Sequence, residues 1–299
     1  MTVQAAHAQR AGYIAISGRP NVGKSTLLNR LIGAKVSITS RKAQTTRHRI
    51  LGVRTDPLAQ YVFLDTPGFQ TRHRNALNRA MNRSVSDAIA SADATLLVID
   101  AAGWREADRV VCDLLPLTLP VVLAINKIDQ LKDSGRLLQL IDEVRQIRDF
   151  SAIVPVSAKT GKGEESLLAE LVRHLPHAGF LYDADTLTDR PERFLAAELI
   201  REKVFRLSGE EIPYGTEVVI ERFELDGTLR RIQATVLVDK PGHKAILLGA
   251  KGERMKRIAT EARIDMESLF GAKVFLEVWV KVKGGWADNA AMLKSLGYQ

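Results

Sequence analysis

The sequence predicts an α/β fold: a mostly parallel sheet with helices on both faces, followed by a smaller α+β domain. Three observations predict it. Short apolar runs alternate with polar, helix-compatible stretches through the first half, as βαβ units do. Motifs rich in glycine or polar residues stand where those runs end, the edge at which such sheets bind ligands. Beyond His174-Leu-Pro176 the alternation gives way to long strands with period two.

The elements follow in order. Tyr13–Ser17 reads as a strand, then a Gly/Pro/Asn loop, then a helix over Ser25–Ile32 with Leu27, Leu28, Leu31 and Ile32 on one face and Gly33 as its stop. Gln60–Leu64, Ala94–Asp100, Val121–Asn126 and Ala152–Ser157 are the next strands. Residues 180–190 carry three aspartates and no period, which marks a linker. A helix then places Phe194, Ala197, Leu199, Ile200, Val204 and Leu207 on its apolar side. Thr216–Leu225 and Leu229–Val238 alternate and meet at Asp226-Gly227, a strong hairpin signal. A helix over Gly252–Leu269 ends at Gly271. The last strand, Lys273–Lys283, points Val274, Leu276, Val278, Val280 and Val282 one way and Phe275, Glu277, Trp279 and Lys281 the other. The expected division is a tail at 1–10, a first domain at 11–179, a linker at 180–191 and a second domain at 192–299.

Length supports two cores, since 299 residues exceed what one usually organises. No apolar run approaches the roughly 20 residues of a membrane span, and the first ten residues lack the apolar core of a signal peptide. Cys112 is the only cysteine, so no internal disulfide forms. A cytoplasmic protein is expected. The net charge of +8 favours a polyanionic partner. Arg41–Arg49 holds four Lys/Arg and no acid, and Lys240–Arg257 holds six opposed only by Glu253. Each run also reads as a solvated face.

Four motifs carry the chemistry. Gly18-Arg19-Pro20-Asn21-Val22-Gly23-Lys24-Ser25, continued by Thr26, sits between strand and helix. Its backbone N–H groups can enclose phosphate oxygens at a helix mouth, with Lys24 on the terminal phosphates and Ser25 on Mg²⁺. Asp65-Thr66-Pro67-Gly68 ends a strand. Asp65 can reach Mg²⁺ through water, and the Gly68 N–H can meet a γ-phosphate and lose it on hydrolysis. Asn126-Lys127-Ile128-Asp129 selects the base, because a carboxylate at Asp129 accepts from both N1–H and the 2-amine of guanine. Adenine offers neither hydrogen, and a buried carboxylate would then go unpaired, discrimination of roughly 10⁴ or more. Asn126 can brace the loops and Lys127 can lie along the base. The backbone of Ser157-Ala158-Lys159 can meet the guanine oxygen. A GTP/GDP site with Mg²⁺ is expected.

With these segments in order, and with Gln44-Thr45-Thr46-Arg47 between the first two, the chain resembles the Era family of bacterial ribosome-assembly GTPases, within the TrmE–Era group. The resemblance spans both halves. It implies that Thr46 or Thr45 is the switch threonine that ligates Mg²⁺ in the GTP state, and the tandem leaves that choice open. It also implies a P-loop GTPase whose Asn21, like the asparagine of relatives with a Pro-Asn-x-Gly-Lys loop, helps bind an activating K⁺. In Ras-like enzymes a glutamine near the position of Phe69 orients water. Phe69 cannot do so, and the family is not known to rely on adjacent Gln70, so slow intrinsic hydrolysis is expected.

In the second half, Gly249-Ala250-Lys251-Gly252 runs into a helix bearing Arg254, Lys256 and Arg257, with Lys244 in the lead-in Gly242–Gly249. The surrounding order resembles a type II KH fold, in which a Gly-x-x-Gly loop clamps about four nucleotides of single-stranded RNA. Ile246, Leu247 and Leu248 are expected to floor that cleft or fill the core. Phe275 and Trp279 are expected to pack rather than stack bases; Trp286 and His243 read either way. The family implies the 3′ end of small-subunit ribosomal RNA and a 30S-type subunit as partners, with the chain a monomer. Two competing readings remain. A GTPase coupled to tRNA modification would need a reactive C-terminal cysteine, which this chain lacks. A membrane-surface adaptor, peripheral on the inner membrane, would need a basic amphipathic helix free of acids, so lipid contact is at most secondary.

Overall fold

A computed structural model of the protein describes residues 9–40, 42, 44–69, 75–209 and 212–298. Arg41 of the first basic run, Gln70, and the first eight residues of the expected tail lie outside them. Two compact units divide the chain. The first comprises Met1–Ser37, Thr46–Thr71 and Met81–Asp189, and the second Ile38–Thr45, Arg72–Ala80 and Arg190–Gln299.

The first unit is built on six strands: β1 (Arg10–Ser17), β2 (Ile50–Asp56), β3 (Ala59–Asp65), β4 (Ala94–Asp100), β5 (Val121–Asn126) and β6 (Ala152–Pro155). They lie in the order β2-β3-β1-β4-β5-β6. All neighbouring pairs are parallel except β2 with β3. Helices α1 (Lys24–Ile32), α2 (Ala76–Ala90), α3 (Glu106–Asp113) and α4 (Ser134–Arg145) lie between them, and α5 (Glu164–Val172) follows β6. The apolar runs are continuous rather than alternating because both faces are covered: β3 is buried along its whole length. Leu27, Leu28 and Leu31 bury one face of α1, each contributing about 2 kcal/mol by removing apolar area from water. Strand β2 goes beyond the expected series. Residues 180–190 carry no helix or strand, yet they are held: Gln60 Oε1 accepts from the N–H groups of Leu181 (2.7 Å) and Tyr182 (3.0 Å). The Val53 N–H donates to Leu187 O (2.9 Å).

The second unit has a three-stranded sheet, β7 (Thr216–Asp226), β8 (Leu229–Val238) and β9 (Lys273–Val282), with β7/β8 antiparallel and β8/β9 parallel. Helices α6 (Glu192–Leu207), α7 (Pro241–Leu248), α8 (Glu253–Phe270) and α9 (Ala290–Ser295) complete it. Ile200, Val204, Ile232, Val236, Leu247, Ile258, Ala262 and Met266 share its core. Val274 and Val280 of β9 face that core, but Val282, expected to join them, is 42% exposed where the strand ends. Leu247 is wholly buried while Ile246 is exposed. Trp286 is buried with its Nε1 donating to Gly215 O (3.1 Å), a packing role.

Candidate nucleotide site and RNA-binding segment

The four motifs converge at the C-terminal edge of the first sheet. Lys24 opens α1 and turns its ammonium back into the preceding loop, donating to Gly18 O (2.9 Å) and Arg19 O (3.1 Å). The loop's tightness requires Gly23, which has φ +100°; a Cβ there would stand 2.4 Å from Asn126 Nδ2. Burial lowers the Lys24 pKa to about 8, although Asp65 opposes the shift. An ammonium so desolvated gains most when anionic oxygens arrive. Arg19 turns away from the loop, its Nε 3.1 Å from the buried Asp108 of α3. Asn21 is exposed at φ 66°, Val22 is buried and Thr26 is exposed.

Asp65, at the end of β3, is wholly buried. Its Oδ2 accepts from Ser25 Oγ (2.8 Å) and Ser37 Oγ (2.9 Å), while its buried Oδ1 has no hydrogen-bond partner among the described residues. Burial pushes its carboxyl above the usual range against the pull of Lys24 and the two hydroxyls. Ser25 Oγ is also 2.8 Å from Thr46 Oγ1. The structure thus brings Thr46 to Ser25; the Thr45 hydroxyl donates instead to Lys42 O (2.7 Å). An unpartnered carboxylate oxygen beside two hydroxyls is an oxygen-only donor set suited to Mg²⁺. Thr66 donates to Ile16 O (2.8 Å). Pro67 and Gly68 follow, and a Cβ on Gly68 would lie 2.9 Å from Pro20 Cγ. Phe69 packs against the core that includes Leu97, Ile99 and Val85, where an apolar ring cannot orient water.

Asn126, ending β5, spans two loops: Nδ2 donates to Val22 O (2.8 Å), and Oδ1 accepts from the Ala158 N–H (2.9 Å). Lys127, at φ 70°, donates to Asn21 O and to Asp100 Oδ2, both 2.7 Å. Burial works against the Asp100 charge, but the bonds from Lys127 and the Ala102 N–H hold its pKa below the ordinary value. Asp129 is exposed, not buried as the base-selection argument supposed, and its Oδ1 accepts from Ser157 Oγ (2.6 Å). Lys159 is exposed beside this loop. Sequence reasoning missed Ser37, Asp100 and Asp108, which lie outside every motif. Asp100 alone had a legible signal, as the acid closing a strand.

In the second unit, Gly249 (φ 70°), Lys251 (φ 49°) and Gly252 (φ 80°) form a one-turn bridge between α7 and α8. Lys244, Ala250, Lys251, Arg254, Lys256 and Arg257 are all exposed around it. Arg254 folds back to Ile246 O (2.5 Å), and Arg257 pairs with Glu261 (2.8 Å). The remaining lysines and the N-terminus of the 18-residue α8 present positive potential to solvent. Phe275 and Trp279 are 47% and 46% exposed, so the packing expected of them is only partial. His243 Nδ1 is buried without a hydrogen-bond partner.

Comparison with known proteins agrees with this geometry. The family described as 50S ribosome-binding GTPase matches residues 13–127, and the KH domain matches residues 211–287. The chain is 54% identical to GTPase Era of Chromobacterium violaceum over 286 residues, 96% of this chain and 97% of that one. It is 55% identical to GTPase Era of Nitrosomonas eutropha over 291 residues, 97% and 98% of the two chains. Among solved structures it resembles a variant of Aquifex aeolicus Era bound to GDP.AlF4- (TM-score 0.94, 39% identity, 97% of this chain and 99% of that one). It equally resembles Era in complex with MgGDPNP and nucleotides 1506–1542 of 16S ribosomal RNA (TM-score 0.94, 40% identity, 97% and 99%).

Proposed function

Because the chain belongs to the Era family of GTPases, we propose that it is a GTP-hydrolysing switch that binds the 3′ end of small-subunit ribosomal RNA and acts in small-subunit assembly. The observation that carries the proposal is the spanning position of Asn126, whose one amide ties the phosphate loop at Val22 to the base loop at Ala158. Such a brace makes phosphate and base recognition a single site. Of the solved relatives named above, one is bound to GDP.AlF4- and the other to MgGDPNP and a segment of 16S ribosomal RNA.

Residues 18–26 and Gly68 would hold the phosphates, Asp129 and residues 157–159 the guanine, and Ser25, Thr46 and Asp65 would hold Mg²⁺. The metal would neutralise phosphate charge as it develops. Lys24 would supply the fixed positive charge, and Lys127 would stiffen the loops through Asn21 and Asp100. Phe69, apolar and partly buried against the core, cannot orient the attacking water, so hydrolysis would be slow without a partner or cation. A K⁺ ion at Asn21 belongs to the same proposal, supported by that residue's exposed, positive-φ position; replacing K⁺ by Na⁺ should then slow turnover. The RNA surface would be Lys244, Gly249–Gly252, Arg254, Lys256 and Arg257. We assign nucleotide binding to residues 11–179 and RNA binding to 192–299, joined by 180–191.

We also place the protein in the cytoplasm; among the described residues no helix is long and apolar enough to cross a membrane. Weak peripheral contact with acidic lipid has only the exposed lysines around Gly249–Gly252 in its support. Calorimetry with GTP and ATP, and filter binding of an oligonucleotide copying the small-subunit 3′ end against anionic vesicles, test the whole reading. Selective binding of GTP and of the oligonucleotide is expected. Equal affinity for ATP, or salt-sensitive binding to vesicles but not RNA, would overturn it.

A further inference from the structure

Asn29 lies within α1, and its side chain makes three hydrogen bonds to one short stretch of loop. Its Oδ1 accepts from the N–H groups of Val36 (3.0 Å) and Ser37 (2.9 Å), and its Nδ2 donates to Ser37 O (2.6 Å). A side chain committed so fully to the backbone of two neighbouring residues fixes the backbone of Ser37. Ser37 is 2% exposed, and its hydroxyl donates to Asp65 Oδ2 (2.9 Å).

The distribution of partners on Asp65 is uneven. Its Oδ2 takes two hydroxyl donors, Ser25 and Ser37, while its buried Oδ1 takes none. A buried carboxylate oxygen left unpartnered is a desolvation cost with no compensating bond. A fold that merely needed to satisfy Asp65 would place one hydroxyl on each oxygen. The two donors also differ. Ser25 is shared with Thr46 (2.8 Å) within the donor set for the metal, whereas Ser37 has the carboxylate as its side-chain partner.

We propose that Ser37 is a positioning residue for the magnesium site: held by Asn29, it pins Oδ2 of Asp65 and thereby reserves Oδ1 for the metal's coordination shell. Groups that orient a metal-holding carboxylate typically alter metal affinity by about 10- to 100-fold when removed. The inference rests on the magnesium-nucleotide reading above.

The test is release of a fluorescent GDP analogue, measured against Mg²⁺ concentration and again in excess chelator, for the unaltered chain, Ser37→Ala, Ser37→Thr and Asn29→Ala. Ser37→Ala is expected to raise the Mg²⁺ concentration that half-maximally slows release by about 10-fold or more. Release in chelator should be unchanged, and Ser37→Thr, which keeps the hydroxyl, should restore the magnesium dependence. Asn29→Ala should shift that dependence in the same direction, and it decides the matter if Ser37→Ala does not fold. Unchanged magnesium dependence, or equal loss of affinity with and without the metal, would overturn the proposal. An unaltered chain whose GDP release ignores Mg²⁺ would instead overturn the magnesium reading itself.

Discussion

Ser157 Oγ donates to Asp129 Oδ1 at 2.6 Å, across 28 residues of sequence. The bond occupies one oxygen of an exposed carboxylate and orients the group before any base arrives. Asp129→Asn should therefore shift preference from guanine toward xanthine nucleotides, because the amide donates where the carboxylate accepted. Ser157→Ala should retain guanine selectivity but weaken GDP by about 10-fold or more, the worth of one hydrogen bond to a charged group. Competition binding with GDP, XDP and ADP checks both; an Asp129→Asn chain that still prefers GDP would contradict the base contact.

Lys24 illustrates a conflict between stability and binding. Its pKa is about 8 in the folded chain and 10.5 in the unfolded one. Between those values the unfolded state holds more protons, so this group's contribution to stability rises with pH across that window. Below pH 8 the buried ammonium costs up to about 3 kcal/mol. Lys24→Met should thus melt no lower than the unaltered chain at pH 7 without nucleotide, while losing tight GTP binding. The gap in stability between the two should narrow from pH 8 to 10.5. Thermal melts across that range read the sign directly.

Thr46 and Thr45 differ in what they touch, and that difference predicts unequal effects. Thr46→Ala should reduce magnesium-dependent affinity for a non-hydrolysable GTP analogue by roughly 10-fold or more. Thr45→Ala, which loses only a bond to Lys42 O, should leave that affinity close to unaltered. Titration of both variants separates them, and the reverse order would place the switch threonine at 45.

Gly252→Asp should weaken RNA binding by about 10-fold at moderate salt while sparing GTP hydrolysis. Among the described residues beyond its chain neighbours nothing lies within 4 Å of a Cβ at that position, so there is room for the side chain. The positive φ of 80° costs about 1 kcal/mol, too little to unfold a domain. What remains is a negative charge set where phosphate would lie, and the loss should shrink as salt screens it. Parallel loss of hydrolysis would argue against separable domains.

The parallel sheet and the four phosphate and base loops were legible because each depends on short-range chemistry. Gly23 and Lys24 must stand together for a loop to close on phosphate, and the apolar runs of β1, β4 and β5 declare two covered faces. Strand β2 was not legible: Ile50, Leu51, Gly52 and Val53 are all buried, so no alternation marks them, and glycine interrupts the run. Helix α7 (Pro241–Leu248) was not assigned from the lead-in Gly242–Gly249, although proline at a first helical position is well tolerated.

By itself the sequence determined the family and the nucleotide chemistry expected of this chain, since a glycine loop, a lysine and the Asn126–Asp129 segment are written in contiguous motifs. Only the tertiary structure decided that Thr46 rather than Thr45 meets Ser25, that Lys127 pairs with Asp100, and that Ser37 holds Asp65. Those choices join residues 21 to 28 positions apart. Contacts at that range follow from how strands are ordered and how helices pack on them, which no local run of residues specifies.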